Sequence, residues 1–283
     1  MAPDFVGIGT QKCATAWLYA VLSEHPEISM AQSDSGNKNL FFFDHFFDRG
    51  YEWYKKYYQD HSKKVFGEFS TSYIYNKSAP ERIFNYRPDI KLIVSLRHPV
   101  ERAYSNHKHE IMRGRVTGEN IYFENALSNN PMYLNQSLYF THLSEWLKYF
   151  PREQLLVLLV DDIKKSPEKV IEELYTFVGV DPDFMPTVLS GKVHETKLVK
   201  KNIIIRTLRK TSLFFMDYGF NWFLKLIKKT GIKKLILKHN TLSKEDAFPK
   251  MKESTRKKLL KFFKEENEKL SQLLDINLNQ WNL

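Results

Sequence analysis

Three short apolar runs punctuate the chain, at residues 5–8, 90–96 and 155–160. None alternates strictly between apolar and polar positions. Unbroken apolar runs of this length predict strands covered on both faces, as in a parallel sheet. A helical pattern follows each run. After the first, Trp17, Leu18, Val21 and Leu22 share one helix face, and the pattern stops before His25-Pro26. After the second, Pro99 occupies the expected first helical position, ahead of Glu101-Arg102-Ala103-Tyr104. After the third, Ser166-Pro167-Glu168 predicts a capped helix start, and the helix is expected to end at Gly179. Strand alternating with helix is the pattern of an α/β fold with a central parallel sheet flanked by helices.

The last third reads differently. Residues 198–240 are basic and apolar with few turn signals, which predicts amphipathic helices; residues 198–250 are expected to cover the cleft as a helical lid. Membrane-surface contact is the lesser alternative. A final helix is clear from Leu259, Leu260, Phe263, Leu270, Leu273 and Leu274, with Lys and Glu between them. No repeat or low-complexity segment interrupts the chain, so residues 1–283 are read as a single domain.

Composition narrows the function. Of the 283 residues, 42% are hydrophobic and 27% charged, ordinary for a globular protein. Aromatics reach 14%, and the stretch from Phe41 to Tyr58 is expected to line an acceptor pocket. The net charge of +10 favours anionic ligands, though a solvated basic surface would carry the same surplus. One cysteine, Cys13, excludes an internal disulfide and a cysteine-rich zinc site. His25, His61, His142 and His194 show no metal-ligand spacing, and no metal is expected. No run of 18 apolar residues predicts a membrane span, and the start reads directly into a strand, so a cytoplasmic protein without leader or anchor is expected. Nothing in the sequence sets the oligomeric state.

The chemistry-bearing segments lie at the ends of the first two strands. Residues 5–18 run from strand through Gly9-Thr10-Gln11-Lys12-Cys13-Ala14-Thr15-Ala16-Trp17 into a helix. Exposed N–H groups at a helix start, together with a lysine, receive an anion. The lysine precedes Ala14-Thr15 rather than following a second glycine, so the loop is not a Walker A motif and an ordinary ATPase or P-loop kinase is disfavoured. In residues 92–107, Arg97 leaves the carboxyl end of a strand, where open α/β sheets bind ligands, and Ser105 falls two helical turns later. Arg97 and Ser105 could flank one phosphate. Their alternative is a sheet-end cap and an ordinary helical serine.

The two motifs together resemble the sulfotransferases that use 3′-phosphoadenosine 5′-phosphosulfate (PAPS), of the heparan type and its bacterial relatives. The family's Gln-Lys-Ser/Gly-Gly-Thr-Thr reads here Gln11-Lys12-Cys13-Ala14-Thr15-Ala16, and its Leu-Arg-Asp/Asn-Pro-x-Glu-Arg-Ala-x-Ser reads Leu96 to Ser105. Residues 67–73 and 137–151 and the closing helix with Trp281 are similar as well. The resemblance implies that the amides of Cys13, Ala14, Thr15, Ala16 and Trp17 cradle the 5′-phosphate. It implies that Arg97 and Ser105 hold the 3′-phosphate and that Lys12 neutralises the oxygen of the breaking S–O bond. Lys38 is a candidate contact for the transferring group. PAPS is the expected donor, with its desulfated product PAP (3′,5′-ADP) left behind and no metal needed.

Two departures from the family pattern stand out. Its Lys-Glu-x-x-Phe-Phe segment reads Lys38-Asn39-Leu40-Phe41-Phe42-Phe43, so Asn39 stands where a glutamate base is expected, and an amide accepts no proton at neutral pH. Glu68 is the first substitute base, with His45 or Asp44 behind it. A nitrogen acceptor would need less help, and a PAP- or PAPS-binding protein with little catalysis is the competing reading. Ala14 replaces a glycine. A left-handed alanine is costly, so Ala14 is expected in helical conformation. Cys13, beside Lys12 at a helix start, is expected to have a lowered thiol pKa at most, with no nucleophilic role. The expected acceptor is a sugar or a small natural product, as for a soluble tailoring enzyme; a nucleic-acid partner would leave the paired phosphate motifs unexplained.

Overall fold

The computed structural model describes residues 2–33, 36, 38–58, 62–189 and 248–283. Apart from its last three residues, the lid expected at 198–250 lies outside the described residues. Five parallel strands form one sheet: β1 (Phe5–Gly9), β2 (Ile28–Met30), β3 (Val65–Phe69), β4 (Lys91–Leu96) and β5 (Leu155–Leu159), in the order β2-β3-β1-β4-β5. The three apolar runs are β1, β4 and β5, and Val160 opens a helix instead of closing the third strand.

The helices are α1 (Thr15–Glu24), α2 (Gly50–Lys55), α3 (Ala79–Tyr86), α4 (Pro99–Met112), α5 (Phe123–Asn129), α6 (Met132–Asn135), α7 (Tyr139–Trp146), α8 (Val160–Lys165), α9 (Pro167–Val178) and α10 (Glu253–Leu274) among the described residues. Their punctuation follows the sequence. His25 is extended ahead of Pro26, Pro99 and Pro167 open α4 and α9, and Gly179 closes α9 at φ 89° in the left-handed region that favours glycine.

Alternate strand residues point into two cores. Val6 and Ile8 of β1 and Leu92, Val94 and Leu96 of β4 pack with Phe42, Phe43, Tyr54, Trp146 and Leu270 on one face. Phe5, Ile93, Leu156 and Leu158 pack with Leu18 and Val21 of α1 and Ile171 and Leu174 of α9 on the other. The aromatic stretch belongs largely to the first core. Phe42, Phe43 and Tyr54 have no exposed surface and Tyr58 almost none, so its role as a pocket lining is corrected to core packing. Phe42 and Tyr54 stack with centroids 4.4 Å apart.

β3 carries a glycine and a glutamate, which hid it from the hydrophobic pattern. Packing explains the glycine. Phe5 pairs with Gly67 and Gly7 with Phe69 across the β1–β3 ladder. A Cβ on Gly67 would lie 2.0 Å from Cζ of Phe5, and one on Gly7 would lie 2.2 Å from the Phe69 ring. Each ring occupies the side-chain space of the opposing glycine, which closes the two strands tightly just before they release the site loops. No helix among the described residues is long and apolar enough to cross a membrane.

Candidate active site

The carboxyl ends of β1, β3 and β4, the three central strands, deliver the candidate residues to one edge of the sheet. This is where open parallel sheets bind ligands. Residues 10–14 leave β1 as a compact turn. The Thr10 amide donates to the Ser95 carbonyl (3.1 Å) and the Cys13 amide donates to the Thr10 carbonyl (3.1 Å). The Ser95 hydroxyl donates to the Cys13 carbonyl (2.5 Å). Ser95 is the one buried polar residue of β4, and that is the signal by which this clamp could have been found.

Ala14 is the N-cap of α1, with φ 58° and ψ 13°, and Lys12 has φ 72°. The expectation of a helical Ala14 is therefore corrected: the sharp entry from loop to helix demands a left-handed residue there even without glycine. Such a conformation costs alanine about 1–2 kcal/mol. Ala14→Gly is expected to stabilise the fold by about 0.5–1 kcal/mol in urea unfolding, the gain being reduced by the greater freedom of glycine in the unfolded chain. Ala14→Val is expected to destabilise it.

No side chain caps the start of α1. The Trp17 amide donates to the Ala14 carbonyl at 2.9 Å, and the Cys13 amide is committed to Thr10. Two of the five amides expected to receive a phosphate are thus committed within the turn and the first turn of α1. The N–H groups of Ala14, Thr15 and Ala16 find no acceptor among the described residues. Cys13 is fully buried, and burial pushes its thiol up to about 11, the reverse of the lowered value expected from its place at a helix start. Its sulfur lies 3.8 Å from the Tyr139 hydroxyl, which donates to the Arg97 carbonyl at 2.9 Å. One buried tyrosine therefore touches both the loop after β1 and the residue after β4.

Positive charge gathers around this turn. Burial lowers the Lys12 ammonium pKa, and the charges of Arg97 and Arg113 lower it further. His109 is pushed down to about 4 by burial and then by Lys12 and Arg113. Arg97, Glu101, Ser105 and His109 recur every fourth residue at or before α4, and so share one side of it. Arg113 and His109 were missed from sequence; the fourfold spacing continued past Ser105 is the signal that reveals them. Glu101 lies 3.8 Å from Arg97 and 2.5 Å from Arg256 of α10, anchoring this side of the site to the last helix. Mutual repulsion that lowers a lysine pKa is relieved by a bound anion.

The segment 38–45 lies across the same edge. Lys38 Nζ donates to Thr15 Oγ1 at 3.0 Å, and burial brings its pKa down to about 8. Asn39 Oδ1 accepts from the Thr71 amide at 3.3 Å, and the Phe41 amide donates to Ser70 Oγ at 3.0 Å. Lys12, Lys38, Asn39, Thr15 and Arg97 are thus all delivered to one edge. Glu68 is not at its surface. It has no exposed area and accepts hydrogen bonds from Tyr54 (2.7 Å), Tyr73 (3.1 Å) and Ser70 (3.1 Å). The expectation that Glu68 takes a proton from an acceptor is corrected: an enclosed carboxylate with three hydroxyl donors holds Ser70 and Tyr73, which in turn receive the amides of Phe41 and Phe43.

Burial raises the Glu68 pKa to about 7 against the opposing pull of the three hydroxyls. Because the folded value exceeds the unfolded one, the native state binds the extra proton, and stability is fully present below about pH 4.5 and lost as pH rises through about 7. Glu68→Gln is expected to remove up to about 3 kcal/mol of this pH-dependent loss, measured by urea unfolding from pH 5 to 8. It is also expected to keep turnover within about tenfold of wild type, as suits a positioning residue.

The fold and site define an α/β protein with an anion-receptive strand–loop–helix at the centre of a parallel sheet. Residues 2–214 match the sulfotransferase domain family, and the chain belongs to it. Among curated relatives, it is 29% identical over 198 residues to the human bifunctional heparan sulfate N-deacetylase/N-sulfotransferase 3, covering 64% of this chain and 23% of the relative. It is 28% identical over 193 residues to human heparan sulfate glucosamine 3-O-sulfotransferase 5, covering 64% and 54%. The chain therefore spans about a quarter to about half the length of these relatives. A sulfotransferase from Alicyclobacillus acidocaldarius shares the fold, with a TM-score of 0.70 and 21% identity over all of both chains.

Proposed function

We propose that this chain transfers the sulfuryl group of PAPS to a hydroxyl or amine of a sugar or other small acceptor. The observation that carries the reading is the meeting, at one sheet edge, of the open start of α1 with Lys12 and with the basic side of α4. Three unpartnered amides and a cation cluster whose members repel one another suit a donor with two separated phosphate groups. In this reading the amides of Ala14, Thr15 and Ala16 bind the 5′-phosphate. Arg97 and Ser105 bind the 3′-phosphate, with Arg113 adding positive charge nearby.

PAPS supplies an activated sulfuryl group on a phosphate leaving group; the protein supplies position and positive charge. Lys12 faces the bridging oxygen, where negative charge grows as the bond to sulfur breaks. Lys38, fixed against Thr15, contacts the sulfuryl oxygens. Asn39, held by the Thr71 amide, orients the acceptor through its side-chain N–H groups. The relatives named for heparan sulfate support a sugar acceptor. A small natural product acted on in the cytoplasm is the second acceptor class.

Incubation with PAPS and N-desulfated heparin oligosaccharides, or with a panel of small alcohols and amines, tests the reading by mass spectrometry. A gain of one sulfuryl group on any acceptor, with stoichiometric 3′,5′-ADP, is expected. Binding of 3′,5′-ADP with no transfer to any acceptor or to water would favour the binding-protein alternative.

A further inference from the structure

The two halves of the proposed donor site leave different strands, and their separation has to match the two phosphates of one nucleotide. The β1–β4 ladder sets part of it, with Gly7 opposite Ile93 and Gly9 opposite Val94 and a shift of register between those pairs. Beyond the ladder, the Thr10 amide and the Cys13 carbonyl are both held by Ser95. Those two bonds end on Ser95, two residues short of Arg97.

Tyr139, the first residue of α7, spans that gap. Its hydroxyl donates to the Arg97 carbonyl at 2.9 Å and lies 3.8 Å from the Cys13 sulfur. A phenol has one proton to give; with that proton on the carbonyl, its oxygen accepts from the thiol. Burial raises the pKa of both groups and keeps both protonated. A hydrogen-bonded chain therefore runs from the thiol through the phenol to the carbonyl, joining the loop after β1 to the residue after β4. The phenol is itself placed from α4. Arg102, without exposed surface, donates to Ser137 Oγ, to Gln136 Oε1 (3.1 Å) and to the Tyr133 carbonyl (2.5 Å). The Ser137 hydroxyl donates to the Pro99 carbonyl at 3.2 Å, which locks the approach to α7 onto the start of α4. The Tyr139 ring packs against Trp281 with centroids 5.9 Å apart.

We infer that Tyr139 is a positioning residue that fixes the spacing of the two phosphate subsites, and so sets the preference for a nucleotide phosphorylated at both the 3′ and the 5′ position. The inference rests on the function proposed above. In this role Tyr139 contacts neither phosphate. It holds the Arg97 backbone, from which the guanidinium fork projects, at a set distance from the loop and helix start that receive the 5′-phosphate. A ligand with a single phosphate occupies one subsite and is indifferent to the spacing. A ligand with two phosphates loses affinity when the spacing drifts.

Calorimetry with 3′,5′-ADP and 5′-AMP separates this role from a general loss of structure. Tyr139→Phe keeps the packed ring and removes only the hydroxyl. It is expected to weaken 3′,5′-ADP binding by about tenfold and 5′-AMP binding by less than about twofold. In an Arg97→Ala background the same change is expected to cost 3′,5′-ADP less than about twofold, because the fork that Tyr139 places is gone. Cys13→Ala removes the thiol donor and leaves the bond from phenol to carbonyl. It is expected to show the same pattern at about threefold, and it supplies the reading should Tyr139→Phe fail to fold. Equal losses for the two nucleotides in either variant would overturn the proposal and leave the two-phosphate reading standing. So would a Tyr139→Phe loss below about threefold, or one undiminished in the Arg97→Ala background. A wild type that binds 3′,5′-ADP no better than 5′-AMP would remove that reading itself.

Discussion

Lys12→Ala is expected to cut turnover of PAPS by about 10³-fold, the scale of losing one charge aimed at a developing oxyanion. The side chain stands on a left-handed backbone in the turn that ends at Ala14, so it cannot be replaced by a neighbour sliding along a flexible loop. Burial, Arg97 and Arg113 all disfavour its charge in the free protein. A bound phosphate reverses that balance, and the charge of Lys12 is then worth most where negative charge increases during the reaction. Affinity for 3′,5′-ADP, which has already lost the sulfuryl group, is expected to fall by only about tenfold. Single-turnover kinetics with PAPS, beside calorimetry with 3′,5′-ADP, separates the two effects. Turnover within about tenfold of wild type would remove Lys12 from the breaking bond.

Arg97→Ala is expected to weaken 3′,5′-ADP binding by about 2–3 kcal/mol and to leave 5′-AMP binding almost unchanged. The residue emerges from the end of β4 with its carbonyl held by Tyr139, and its guanidinium is 3.8 Å from Glu101, a loose pairing that leaves the fork available to an anion. A 3′-phosphate accepts two parallel N–H bonds from such a fork, whereas lysine offers a single point charge. Arg97→Lys is therefore expected to recover part of the affinity. Calorimetry with the two nucleotides reads the difference directly. Equal losses for both would place Arg97 on the shared 5′-phosphate.

The frame of the site was legible because its carriers are strong local signals. β1, β4 and β5 are apolar runs too short for helices; Pro99 and Pro167 punctuate as their fixed φ requires, and Gly179 as its freedom at positive φ allows. β2 has three residues, and β3 is broken by Gly67 and Glu68, whose reasons lie across the sheet in the Phe5 ring and in the hydroxyls of Tyr54, Tyr73 and Ser70. No local pattern carries that information. The same distance effect offered Glu68 as a base although it is enclosed, and a lowered Cys13 thiol pKa where burial raises it. The left-handed Ala14 runs against alanine's own preference, so only the demands of the turn around it explain that conformation.

The central claim is a two-phosphate site, one half at the start of α1 and the other at Arg97 and Ser105. Titration of the wild-type protein with 3′,5′-ADP, 5′-AMP and ATP in the same buffer tests it most directly. The account predicts that 3′,5′-ADP binds about 10²-fold more tightly than 5′-AMP, and more tightly than ATP. Equal affinity for all three nucleotides would contradict it.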